Sequence, residues 1–430
     1  MSTMHLCDAH HNGRALYTAC VTAELTAGYY YDMDIVRSRV RTMQSALPEN
    51  MHLLYSLKAN PAPPLLTLLA QERCGADVSS GAELLLALRS GFASETICFV
   101  GPGKSSAELT LAVERQIGAV AVESASELHM LRHIATTRRC PTTAIVRINP
   151  TYEVRGVRMA MGGRTTQFGL ERDEALHCMH DAIHRQSPLQ VCGIHIYVGT
   201  RIASATDAAW NVGQVIAQAR QFGQTGAICT KVDVGGGLGI PYYEDEHECA
   251  FESFAEAVQE HVRAYHATGL PPCLFYLESG RYIIGPAGCF FARVQHVAMD
   301  GDLQQVEVAA TPALHGLSAG SFLAKNRHFL GAGLHRDGWK RGKLPTAVSY
   351  RLHGQRLPWP TRVTAPRLAI GDYLVFLNSG AYGPTTSAVW RALEGFPAEW
   401  AGSNGCIHML SPQMTWRTLA KGQQLVTGYA

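Results

Sequence analysis

The 430-residue chain carries 37 Lys and Arg against 35 Asp and Glu, a formal charge of +2, with 47% hydrophobic and 17% charged residues. That balance excludes the one-sided basic footprint of a nucleic-acid partner or an anionic membrane surface, and no apolar run reaches membrane-spanning length. The length fits two or three domains, or one large barrel with an appended domain, and small-molecule chemistry is the expectation.

The opening "MSTMHLCDAHHNGRALYTAC" lacks the basic start, apolar middle and cleavage site of a secretory signal, so a cytoplasmic location is expected. His10 and His11 fall in a polar stretch read as loop, and "ALYTACVT" (15 to 22) has strand character. The first helical period is "MDIVRSRVRTMQSAL". Short β-branched or aromatic runs follow: "HLLYSL" (52 to 57), "CGADVS" (74 to 79), "TICFV" (96 to 100), "AVAVE" (119 to 123), "AIVRI" (144 to 148), "VCGIHIYV" (191 to 198), "KVDV" (231 to 234) and "CLFYLE" (273 to 278). Between them lie segments such as "PPLLTLLAQER" and "AAWNVGQVIAQARQF", apolar at spacings of three and four, and "SSGAEL", "SSAEL" and "SASEL" each set serine ahead of glutamate as helix starts do. Eight strands alternating with helices predict an α/β fold, a parallel (β/α)8 barrel.

After Arg281 the runs shorten and alternate ("ARVQHVAM", "LQQVEVAA", "TAVSYRLHG", "DYLVFLN"), predicting a second, mostly antiparallel β domain. The expected division is 28–287 for the barrel and 1–27 plus 288–430 for the β domain. Twelve cysteines without a Cys-x-x-Cys pair indicate neither a disulfide framework nor a zinc site; most are read as small buried residues. No metal is expected, since no His-Glu-x-x-His helix, the pair with its carboxylate, occurs.

Polar residues gather at the strand ends, where the βα loops of such a barrel converge: Lys58, Asp77, Arg147, His195, Tyr197 and Glu278, with Gly235, Gly236 and Gly237 after the seventh strand. Consecutive glycines let backbone N–H groups close on an anion, and Arg281 could be a second phosphate ligand or a loop arginine paired with a carboxylate. A lysine able to form a Schiff base, a phosphate cradle and a buried carboxylate together describe a pyridoxal phosphate site.

The motifs "YSLKANP", "GADVSSGAEL", "VRINP", "GIHIYVGT", "VDVGGGLGIPY", "ESGR" and "SGAYG", in this order over about residues 28 to 387, resemble the group IV, alanine-racemase-fold decarboxylases of ornithine, arginine and diaminopimelate. "FVGPGKSSAEL" and "MGGRTTQFGL" look most like the siderophore-pathway members acting on citryl conjugates. The resemblance implies pyridoxal 5'-phosphate held covalently by Lys58, with Glu278 facing the ring nitrogen and His195 and Tyr197 against the ring. It also implies phosphate binding by Gly235 to Gly237, Gly280, Arg281, Thr200 and Tyr382, with Asp77 and Arg147 orienting the cofactor. A homodimer with active sites at the interface is implied too.

Two departures stand out. Tyr197 replaces the histidine that usually stacks on the ring. The usual cysteine and aspartate before the final "GD" are missing from "LHGQRLPWPTRVTAPRLAIGD", where Arg351, His353 and Arg356 instead suit an anionic substrate tail. The proton donor is then open among His353, His315 and Cys406. The expected activity is α-decarboxylation of an amino acid or conjugate; the alternatives are an amino-acid racemase or decarboxylation-dependent transaminase on this fold, or a non-catalytic pyridoxal phosphate carrier.

Overall fold

The computed structural model describes residues 10–160, 169–184, 187–309, 328–342, 344–352, 355–356, 361–386 and 397–412. The chain forms two compact units: Arg37–Ile240 with Glu248–Ile283, and Met1–Val36 with Pro241–His247 and Ile284–Ala430.

The first unit is a closed barrel of eight parallel strands: β1 Met51–Ser56, β2 Gly75–Val78, β3 Ile97–Phe99, β4 Ala119–Val122, β5 Thr142–Arg147, β6 Leu189–His195, β7 Lys231–Asp233 and β8 Leu274–Ser279. Each pairs with the next, and β8 closes on β1 through Glu278 opposite Leu54 and Ser279 opposite Tyr55. Leu54, Cys98, Ala119, Ala121, Ile145 and Tyr276 form one buried cluster from five of the strands, mixing large and small side chains as a filled barrel demands. The serine signals mark real helix starts: Ser80, Ser105 and Ser124 accept the backbone N–H of Glu83, Glu108 and Glu127, and Ser105 with Glu108 completes a reciprocal capping box.

The second unit is built on a mostly antiparallel sheet ordered Leu303–Val308, Leu344–Leu352, Thr361–Ala365, His328–His335, Tyr373–Phe376, Gly288–Asp300, Ala27–Asp32, Ala398–Ser403, Cys406–Ser411. Three of its pairings are parallel, among them Ala27–Asp32 with Ala398–Ser403. Tyr29, Tyr30 and Tyr31 on that strand are fully buried.

Two expectations for the opening residues fail. "ALYTACVT" is no strand and the two histidines open no loop, because His10–Thr22 is an α-helix. Its apolar residues share one face: Leu16 and Cys20, four apart, are fully buried, and a Cβ on Gly13 would stand 2.5 Å from the Trp339 ring. Packing of that face overrides the β propensity of Tyr, Val and Thr. Among the described cysteines all are free and only Cys140 and Cys406 are not buried. No helix among the described residues is long and apolar enough to cross a membrane.

Candidate active site

Lys58, Asp77, Arg147, His195 and Glu278 lie at or just beyond the C-terminal ends of barrel strands. Lys58 sits in the 3-10 turn Leu57–Ala59 that leaves β1, Asp77 within β2, Arg147 and His195 at the ends of β5 and β6, and Glu278 within β8. The register sets them side by side: Ser56 lies opposite Asp77, Arg147 opposite His195, and His195 opposite Asp233.

Lys58 Nζ donates to Asp77 Oδ2 at 3.1 Å, and the ammonium lies 5.7 Å from the centre of the Tyr197 ring. Asp77 is almost wholly buried, and burial, with Glu278 nearby, pushes its carboxyl up to about 6 against the pull of Lys58. His195 Nε2 stands 3.2 Å from Glu278 Oε1, both side chains buried. Burial alone would raise Glu278, but His195 beside it and the Lys58 and Arg147 charges outweigh that and hold it at about 2. Glu278 is therefore held as the anion, while burial drives His195 toward its neutral form.

The glycines are fixed by their neighbours. A Cβ on Gly236 would fall 2.0 Å from the Glu278 carbonyl oxygen, one on Gly237 2.1 Å from that of Gly199, and one on Gly280 2.6 Å from Ala59 Cβ. Gly235 and Gly237 also have φ of +67° and +106°, a region that only glycine enters freely. The loop thus presses against the Glu278 strand and the Gly199–Thr200 segment, leaving backbone rather than side chains at the mouth. Gly236→Ala should lower stability by about 1–3 kcal/mol or more, read as a reduced urea midpoint, since the added methyl meets backbone that cannot step aside.

Arg147 is held by Glu123 at 2.6 Å, and Lys104 Nζ bonds Glu127 and the Gly101 and Ala121 carbonyls, each at 2.7 Å. These buried pairs tie the loops after β3, β4 and β5 to one another. Sequence reasoning did not single out Glu123 or Asp233, although each is an acid set in or against a short apolar strand. Glu83 turns back to accept the Ser79 N–H and hydroxyl at the start of helix Gly81–Arg89.

Thr200 and Gly199 pair with Met159 and Ala160 in a two-stranded ribbon, and Arg281 opens the short helix Arg281–Ile284. Tyr382 belongs to the β unit, at φ +63° just before helix Gly383–Thr386. Arg351 and Arg356 are register partners across a hairpin. His353 and His315 lie outside the described residues. Cys406 is exposed at the start of the last strand.

Five buried atoms at the mouth have no hydrogen-bond partner among the described residues: Asp77 Oδ1, Asp233 Oδ2, Glu278 Oε1 and both ring nitrogens of His195, whose approach to Glu278 lacks hydrogen-bond alignment. Leaving such atoms unsatisfied costs about 1–3 kcal/mol each. A reactive amine, a buried anion able to take a ring N–H, and side-chain-free backbone for an anion fit pyridoxal phosphate.

A parallel barrel with this constellation at its mouth, in a chain that also carries a mostly antiparallel β unit, defines the alanine-racemase-fold class of pyridoxal phosphate enzymes. The model of the pyridoxal-dependent decarboxylase family, pyridoxal binding domain, matches residues 33–285, and the chain belongs to that family. Its cofactor is pyridoxal 5'-phosphate, and the enzyme is a carboxy-lyase acting on an amino acid. The chain is 28% identical to the L-glutamyl-(BtrI acyl-carrier protein) decarboxylase of Niallia circulans, over 92% of this chain and 93% of that one. It is also 28% identical to the diaminopimelate decarboxylase of Aquifex aeolicus, over 89% and 88% respectively. Among solved structures, the diaminopimelate decarboxylase of Methanocaldococcus jannaschii in complex with L-lysine superposes with a TM-score of 0.80 at 22% identity, covering 95% of this chain and 94% of that one, a likeness of fold.

Proposed function

We propose that the protein is an α-decarboxylase of an amino acid whose far end is conjugated or anionic, as in a siderophore-type intermediate. The observation that carries the site assignment is the Lys58–Asp77 pair opening beside the buried Glu278 and His195. When bound, pyridoxal phosphate supplies the electron sink that takes up the electron pair left at the α-carbon as carbon dioxide departs. Lys58 contributes the amine that binds the cofactor aldehyde. Glu278 would hold a proton on the ring nitrogen, His195 and Tyr197 would contact the ring, and Asp77 and Arg147 would orient it. Backbone N–H groups at Gly235 to Gly237 and Gly280, with Thr200 and Arg281, bind the phosphate.

The tail assignment draws support from the stretch before Asp372, which carries no aspartate for a distal amine but does carry Arg351, His353 and Arg356. The Niallia circulans relative, by its name, decarboxylates glutamyl carried on an acyl-carrier protein, a conjugated amino acid. A screen of citryl conjugates, carrier-linked glutamate and free diamino acids, read by carbon dioxide release and product mass, tests it. Turnover of a free diamino acid above all conjugates overturns the tail assignment. We also infer a homodimer, checked by light scattering.

Asp77 gives a pH signature. Its carboxyl is raised to about 6, so the charge that attracts Lys58 is present above that pH and fades as the pH falls through it. Cofactor loss on dialysis should therefore quicken between pH 7.5 and 5.5, and Asp77→Asn should flatten that dependence.

A further inference from the structure

Asp233 ends β7 two residues before Gly235, is fully buried, and spends one oxygen on the loop: Oδ1 accepts the Gly235 N–H at 2.9 Å. Its other oxygen, Oδ2, is buried and without a partner among the described residues. A ligand atom from each of Asp233, His195 and Glu278 lies within 4.8 Å of the other two, and Glu278 Oε1 and both His195 nitrogens also lack partners. We propose that Asp233 is a positioning residue that carries a proton, accepting the Gly235 N–H on one oxygen and donating from the other into the His195–Glu278 pair. The phosphate loop and the ring-facing acid are thereby held as one unit.

The charge inventory requires the proton. Asp77, Asp233 and Glu278 are three buried carboxyls in one mouth. The nearby cations are Lys58, paired with Asp77, and Arg147, paired with Glu123. Asp233 has no salt-bridge partner among the described residues, and a buried carboxyl in that position takes up a proton rather than keep its charge. The other titratable groups around it, Cys98 and Tyr276, are themselves raised by burial and offer no positive charge. Burial first, then Glu278 and Asp77, push the Asp233 carboxyl well up, with the Gly235 N–H and Lys58 opposing. A protonated carboxyl has one acceptor to offer and one donor, which matches one oxygen engaged by an N–H and one facing atoms in need of a hydrogen. The backbone repeats the link: Glu278 N–H donates to the Gly235 carbonyl at 2.8 Å, and Ile196 N–H to that of Asp233 at 3.1 Å.

The proposal rests on the cofactor reading of this pocket, and its test separates the two. Asparagine reproduces a neutral carboxyl with one acceptor and one donor group; alanine reproduces neither. Asp233→Asn holoenzyme should keep its cofactor through dialysis within about threefold of the wild-type half-time, and Asp233→Ala should lose it at least about tenfold faster. At pH 8, above the range in which Asp77 takes up its proton, an infrared carbonyl component of a protonated carboxylic acid should be present in the wild-type protein, with and without cofactor, and be lost in Asp233→Asn. Equal, rapid cofactor loss from both variants overturns the proposal. So does an infrared spectrum unchanged by the asparagine, or a divalent cation that purifies with the wild type and not with Asp233→Asn. Failure of the cofactor reading would show instead as wild-type protein that takes up no pyridoxal phosphate and gains no bound-cofactor absorbance, a readout independent of the infrared difference.

Discussion

Lys58→Ala is expected to abolish both the near-visible absorbance of the bound cofactor and carbon dioxide release, the latter by at least about a thousandfold. No other side chain can stand in, because the amine's place depends on backbone: the 3-10 turn Leu57–Ala59 stops β1 at Ser56 and delivers Lys58 beside Asp77. Lys58→Arg should fail equally despite keeping the charge, since a guanidinium does not condense with an aldehyde at neutral pH. Spectra and gas release measured on the same samples check this, and retained absorbance in either variant would falsify the assignment of the amine.

Glu278→Ala should divide binding from chemistry. The phosphate loop and Lys58 remain, so cofactor should be retained, while turnover falls about a hundred- to thousandfold for want of the anion that keeps the ring nitrogen protonated. Glu278→Gln should lie close to alanine in rate, because a neutral amide cannot hold that proton. Glu278 is held at about 2, so the acid limb of the wild-type rate profile, followed down to pH 5, should show no break from this residue. Carbon dioxide release at the wild-type rate in Glu278→Ala removes Glu278 from the chemistry.

Much of the barrel was legible because its signals are local. Each strand is a short apolar run, four of the helices open on a serine that caps them, and the polar residues at the strand ends stand out against the apolar runs. Glu123 escaped because its role is a pairing with Arg147 on the next strand, and Asp233 because its place beside His195 and Glu278 comes from the flanking strands; spacing along the chain encodes neither. The helix His10–Thr22 was missed for a related reason: its stabilising partner, Trp339, is more than three hundred residues away in sequence. In the β unit the short strands Thr361–Ala365 and Ala398–Ser403 carry little pattern of their own and owe their state to the sheet they join.

The strand Ala27–Asp32 lies between Gly288–Asp300 on one side and Ala398–Ser403 on the other. During synthesis its tyrosines therefore leave the ribosome long before either flanking ribbon exists, while all eight barrel staves follow and can close meanwhile. Assembly should accordingly run barrel first, with this early segment waiting as an unclaimed apolar stretch that a chaperone can shield until the last ribbons arrive.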